Sequence, residues 1–399
     1  MLEKLWRRAE SSRGINYSLL LPLLCHAFSI QLLTVLLRVT TAYRILELDL
    51  PLVWLGAISG TFALLPVFLA VWVGRFIDRG NDAKVAWMGS ALMFAPTICF
   101  YLWPGNQYHL LAYTAILGVG HLFIMASHQM LTVRAGGEHG RDSAFGNFSV
   151  AQAIGQGVGP MVVGFVGGSA HLPPTHELFG YAAIGMALNF MIGFAIRPIP
   201  ISSRHSKEIS TIPVLELLKT PGLVTILMAS ILTITASDLL STYLPLLGTE
   251  RYIGVAYIGT ILSVRSAASI LSRFGFASMI RIVGRRRLTV LTMICAGLGF
   301  IGLALPIPLY GLYVASAIMG VGLGISSTLS VSSIAEIVPP ASRGTAMTIR
   351  ITGNRLGQVL VPILASLIAA SAGAAGVLAI IGVNLIGSAI AVQRTNKGD

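Results

Sequence analysis

The sequence predicts an all-α membrane protein whose twelve transmembrane helices form two pseudo-symmetric six-helix bundles. Three observations carry this expectation. Of the 399 residues, 55% are hydrophobic and only 11% are charged, too little polar surface to keep a soluble particle of this size in water. Apolar stretches of roughly 20 residues, the length that crosses a bilayer, recur along the chain. Finally, residues 141–160 reappear at 343–362. At a constant offset of 202 (343 − 141), Arg141 falls on Arg343, Ala144 on Ala346, Gly155 on Gly357, Gln156 on Gln358 and Pro160 on Pro362. Two like halves in a membrane have a natural site between them, which points to a carrier.

The first span, 17–41, follows a basic segment as a signal peptide would. Its apolar run is too long, and no small-residue cleavage site follows, so it is expected to be retained. Spans 52–73, 85–103, 109–132, 145–169 and 177–197 complete a first bundle, residues 1–197. Residues 198–222 are polar and broken by Pro198, Pro200, Pro213 and Pro221. They read as a cytoplasmic linker with a short surface helix near Val214 to Lys219. The second bundle, 223–399, holds spans 223–247, 253–276, 288–305, 309–333, 346–370 and 373–392. Loops such as Trp103 to Tyr108 and Pro306 to Pro308 leave no room for an ectodomain.

A net charge of +12 invites a nucleic-acid partner, but its distribution argues against one. Twenty of the 27 Lys and Arg fall in segments on one side of this topology, and the opposite loops offer only Arg44 and Arg251. That bias places both termini in the cytoplasm, with a bacterial inner membrane as the expected location. Cys25, Cys99 and Cys295 all lie in apolar spans and read as small core residues.

Between the second and third spans the chain runs Gly74-Arg-Phe-Ile-Asp78-Arg79-Gly80-Asn81-Asp82-Ala83-Lys84. Asp78 could accept from exposed helix amides and pair with Arg134, latching the halves on the cytoplasmic side. Asn81 could supply a left-handed turn. The fifth span carries Gly146, Gly155, Gly159, Pro160 and Gly164. Glycines at these intervals let helices pack closely, and the proline permits a bend.

The first segment resembles the loop signature of the major facilitator superfamily, and the second is similar to its antiporter signature. Asn81 stands where a second Gly is usual, Ala83 replaces a basic residue and Val163 replaces a Gly. The resemblance covers the span count and repeat plan of the whole chain. It implies a transporter like the twelve-span bacterial drug and metabolite antiporters, with Gly74, Asp78, Arg79, Arg134, Gly155, Gly159 and Pro160 in gating. Thr114 stands before Gly118 where proton-coupled drug exporters of this superfamily usually carry an Arg, a departure from their pattern.

Ionisable groups in hydrocarbon are costly unless paired or facing water, so the few present are site candidates. Arg265 lies in the eighth span and Arg350 and Arg355 in the eleventh, where Arg350, Asn354 and Gln358 share one face. Gln152 and Gln156 occupy the matching first-half positions and are neutral. Positive charge thus gathers on one side of the cavity, favouring an anionic substrate bound by Arg265, Arg355, Asn354, Gln358, Gln152 and Gln156. Arg38 and Arg273 lie nearer span ends, where they can snorkel. Asp238, His26, His121 and His128 are candidate proton-coupling groups. In the bland alternative Asp238 neutralises Arg265 as a structural pair, and the histidines join helices.

These readings lead to a secondary active transporter, a proton-coupled exporter of a small organic molecule working by alternating access. The alternatives are a proton-coupled uptake symporter of an organic anion and a non-transporting membrane sensor. No paired carboxylates, activated nucleophile, phosphate-cradling loop or metal-ligand spacing stands out, so no enzyme, cofactor or metal is expected. The expected partners are substrate, protons and lipid around a monomer.

Overall fold

The computed structural model describes residues 16–136, 140–197, 214–339 and 342–395. The long helices among them are α1 (Tyr17–Glu47), α2 (Val53–Phe76), α3 (Asp82–Leu102), α4 (Gln107–Ala135), α5 (Arg141–Gly167), α6 (Thr175–Gly193), α7 (Leu223–Glu250), α8 (Val255–Phe274), α9 (Arg285–Ala304), α10 (Leu309–Ile337) and α11 (Arg343–Thr395). Helix α11 breaks at Gly373, whose φ of 64° is one that glycine adopts without a steric penalty, so it supplies two spans. Among the described residues ten helices are long and apolar enough to cross a membrane; with α11 divided in two and α6 counted, the arrangement is the twelve segments, six in each bundle, that the sequence predicts. Some boundaries shift: α1 continues to Glu47, six residues past the expected 41, while α6 stops at Gly193, four short of the expected 197.

Short elements fill the basic-loop side. The chain passes from α2 to α3 through one wide turn, Ile77–Asn81, whose left-handed residue is Gly80 (φ 85°), while Asn81 keeps a φ of −94°. The expectation for Asn81 is therefore corrected, since glycine takes that geometry at lower cost. The expected linker helix is present as Val214–Leu217, and Leu217 docks into an apolar cluster with Leu223, Leu227, Ile334 and Ala346. A further short helix, Phe276–Val283, precedes α9. The rest of the expected linker, 198–213, lies outside the described residues.

The repeat extends to paired side chains. Glu47 at the end of α1 accepts from the Thr175 hydroxyl at the start of α6. Glu250 at the end of α7 accepts from the Ala374 amide just past the α11 break. Each carboxylate meets the positive end of the bundle's last span. Arg44 and Arg251, the two exceptions to the charge bias, bond the carbonyls that end α3 and α9: Arg44 to Pro104 at 3.1 Å, Arg251 to Leu303 at 3.2 Å and Leu305 at 2.8 Å. Burial lowers the Arg251 pKa, and the Glu250 carboxylate opposes the shift. On the basic-loop side Arg134 pairs with Asp82, and at the matching second-bundle positions Arg285 pairs with Glu336, with the charges exchanged.

The two bundles share one apolar core over the half of the membrane away from the termini, where Ile30, Leu37, Ile58, Leu239, Leu247 and Ile261 belong to a single cluster. Nearer the termini the clusters separate, Leu20, Leu131 and Ala144 in one bundle and Leu227, Ile334 and Ala346 in the other. The molecule is closed at its far end and divided toward the termini.

Candidate functional site between the bundles

The closed seam is made of small residues and backbone. A methyl group on Gly56 of α2 would overlap the Pro362 carbonyl of α11, and one on Gly259 of α8 would overlap the Pro160 carbonyl of α5. At the far end the first amides of α8 bond across the seam, Val255 to the Ala170 carbonyl and Ala256 to that of Gly168, both at 2.9 Å. Ser263 Oγ donates to the Gly157 carbonyl at 2.7 Å, and Ser59 and Thr242 hydroxyls meet at 3.0 Å.

Where the seam reaches mid-membrane, α1 and α7 are joined by an ion pair. Arg38 Nη1 lies 2.9 Å from Asp238 Oδ1, with the side chains 16% and 21% exposed. The other Asp238 oxygen accepts from Gln358 Nε2, and Gln358 Oε1 accepts from Arg355 Nη1 at 3.2 Å. The Arg38 guanidinium also lies 5.2 Å from the Phe62 ring centroid, within cation–π range. One carboxylate thus joins α1, α7 and α11.

The alternative pairing of Asp238 with Arg265 does not form. Arg265 donates to Ser237 Oγ at 2.7 Å and Ser266 Oγ at 3.1 Å, while Arg38 reaches Asp238 from the opposing bundle. Arg38 does not snorkel, because the extra length of α1 places it within the helix rather than near its end. Arg350 bonds Ser230 Oγ at 3.3 Å, and Ser230 donates to Asn354 Oδ1 at 3.2 Å. Among the described residues no carboxylate lies within 4.0 Å of Arg265, Arg350 or Arg355. Around Asp238 the second-bundle side of the site therefore carries three guanidinium groups, the electrostatics that suit a carboxylate or phosphate.

The first-bundle side is neutral. Gln152 Nε2 and Gln31 Nε2 approach Met125 Sδ at 2.9 and 3.4 Å, and Gln156 Nε2 approaches Gln31 Oε1 at 3.4 Å. Gly155 and Gly159 seat α5 on α1, where added methyl groups would meet the Phe28 and Leu32 carbonyls. Gln31 and Met125 carry no isolated sequence signal; the spacing of Gln31 seven residues before Arg38 is what places both on one face of α1.

The histidines do not form one group. His26 Nδ1 and His128 Nε2 are 2.9 Å apart, and His26 Nε2 is 3.1 Å from Ser90 Oγ. Ser90 gives its proton to the Ala86 carbonyl, so Nε2–H of His26 donates to Ser90, and its Nδ1 accepts from His128. With both rings neutral this chain of bonds ties α1, α3 and α4 inside the first bundle and leaves His128 Nδ1 without a hydrogen-bond partner among the described residues. His121 stands apart, its ring 5.3 Å from that of Phe62 and neither nitrogen bonded among the described residues.

Of the gating candidates, Arg134 bonds Asp82, not Asp78. Asp82 is fully buried, its side chain also accepts from the Ala83 amide at 2.9 Å, and its carbonyl accepts from Ser127. The pair joins α3 to α4 within one bundle, so it braces that bundle and does not cross the seam. The Asp78 side chain lies outside the described residues. Arg79 is exposed, and Gly74 borders open space.

The sequence pattern of the Major Facilitator Superfamily matches residues 19–310 and again 226–396. The chain belongs to this superfamily. It is a membrane transporter of that type, and the overlapping second match falls on the second bundle, as a duplicated chain requires. Its fold is similar to that of the nucleoside transporter NupG: TM-score 0.78, 15% identity, covering 95% of this chain and 99% of the other. A bacterial homolog of the human lysosomal transporter Spinster, in an inward-facing and occupied conformation, superposes with TM-score 0.77, 14% identity and coverage of 95% and 97%. The peptide transporter POT in complex with sulfate gives 0.72, 16%, 94% and 93%. At these identities the likeness concerns the fold alone. No curated protein matches the sequence.

Proposed function

We propose that this transporter carries a small organic anion across a bacterial inner membrane by alternating access, exchanging it outward against protons. The observation that carries the reading is the mid-membrane site itself, where among the described residues no carboxylate lies within 4.0 Å of Arg265, Arg350 or Arg355 and Asp238 is held by Arg38 across the seam. With the termini in the cytoplasm, the divided side faces inward. An anion entering there meets Arg355 with Gln358 and Asn354.

Protonation of Asp238 would release Arg38 and weaken the ion pair that ties the bundles, allowing the far side to open. Asp238 is thus the preferred coupling group, and His121, His26 and His128 come after it. Export is the direction implied by the α5 glycine pattern. Uptake with protons is the second reading, favoured because an anion entering a negative interior needs accompanying positive charge. The protein is proposed to work as a monomer.

Proteoliposomes with an imposed pH gradient test the proposal. Anion flux that follows the gradient, reverses with it and falls in Asp238→Asn is the expected result. Flux indifferent to the gradient would remove proton coupling, and its direction relative to the gradient separates exchange from symport.

A further inference from the structure

The anion site accounts for only one wall of the space between the bundles. On the other wall three primary amides converge, Gln31 from α1 and Gln152 and Gln156 from α5, around Met125 of α4. Two of their donors point at a thioether sulfur, a weak acceptor. The side-chain oxygens of Gln152 and Gln156 take no hydrogen bond among the described residues.

These amides are not directed at lipid. The exposed stripe of α5 runs through Ile154, Met161 and Phe165, the last 91% exposed. Gln152 and Gln156 each sit two positions from Ile154, about 200° around the helix and so on the opposite face. Gln31 is buried and Gln152 and Gln156 are half-buried on the side away from lipid, and polar groups in a membrane normally find strong partners, so an amide cluster with spare donors and acceptors there is poised for a ligand.

We propose that the substrate is an organic anion that also bears a neutral amide-like edge, a carboxamide, lactam or ureido group. Its charge is met by Arg355 and its neutral edge by Gln31, Gln152 and Gln156. This rests on the anion reading given above. The geometry suits two-point recognition, because Gln31 lies seven residues before Arg38 on α1, about 10 Å along the axis from the ion pair toward the divided end. An amide offers both a donor and an acceptor, so it pairs with a glutamine side chain in a way that a hydrocarbon or a lone carboxylate does not. A site that loses such partners leaves polar groups unpaired, which is the basis of discrimination against apolar analogues.

The test is thermal stabilisation of the full chain in detergent by matched pairs of acids: succinamate against pentanoate, and orotate against benzoate. Butanamide serves as the uncharged control. Succinamate or orotate should bind about tenfold more tightly than its apolar twin, the contribution of one or two hydrogen bonds. Gln152→Met and Gln156→Met, which keep side-chain length, should erase that advantage, so that each amide-bearing acid binds no more tightly than its apolar twin.

Equal affinity within both pairs would overturn the proposal. So would an advantage that survives both glutamine variants, or no binding by either amide-bearing acid. Failure of the underlying anion reading looks different: butanamide would bind as well as succinamate, and Arg355→Ala would leave every acid's affinity untouched.

Discussion

Replacing Asp238 with Asn removes one charge while keeping the shape of the side chain and its capacity to accept from Gln358. At the observed 2.9 Å, a unit pair in a medium of effective dielectric 20 attracts by about 6 kcal/mol. Desolvation offsets most of that for side chains that are only 16% and 21% exposed. A net coupling of about 1–3 kcal/mol remains, equivalent to roughly 5–150-fold in an equilibrium. Because the pair joins the two bundles and the closed seam continues outward from it, this energy favours the far-closed state over the far-open one. The assay is electron–electron distance measurement between spin labels at Leu172 in the first bundle and Tyr310 in the second, both on the far side. Asp238→Asn should populate a longer distance, and Arg38→Ala should do the same. The double variant should add little beyond either single change. Strictly additive effects, or an unchanged distance distribution in Asp238→Asn, would refute the role of this pair in closure.

Other outcomes follow from the same contacts. Asp82→Asn leaves Arg134 without its buried partner and should destabilise the protein by about 3–5 kcal/mol, read as a lower unfolding temperature. Glu336→Gln at the exposed second-bundle counterpart should cost less than about 1 kcal/mol. Gly118→Ala would drive a methyl group into the Phe62 carbonyl within the first bundle and should lower stability by about 1–3 kcal/mol. Gly56→Ala, whose clash lies across the seam, should instead shift the spin-label distances toward the open state. Arg355→Ala should retain the fold and lose anion stabilisation in a thermal-shift assay.

Much of the architecture is legible in the sequence because hydropathy and duplication are read along one dimension. The break at Gly373 falls where the last two spans are expected to divide. Side-chain pairing is less legible, because it depends on which helices come to face one another. Asp78 stands out as part of a known loop pattern, yet Asp82, four residues on, is the buried carboxylate that meets Arg134. An acid at the threshold of an apolar run is the available signal. The expectation for Arg38 fails because helix length sets depth, and six additional residues on α1 carry it inward from the boundary. Its partner cannot be read from α1 alone, since Asp238 comes from the opposing bundle. The pairing of His26 with His128 likewise depends on the convergence of α1, α3 and α4.

The seam itself has a thermodynamic consequence. Gly56 lies against the Pro362 carbonyl, Gly60 near that of Val359 and Gly259 against that of Pro160, so at these points closure brings backbone against backbone. Within a bilayer such contact gains little from the exclusion of water, because lipid is as apolar as leucine. When the far side parts, water can solvate the same carbonyls that the glycines had approached. The open and closed arrangements are therefore close in free energy. A preference of a few kcal/mol, the scale of one ion pair or one bound ligand, is enough to decide between them.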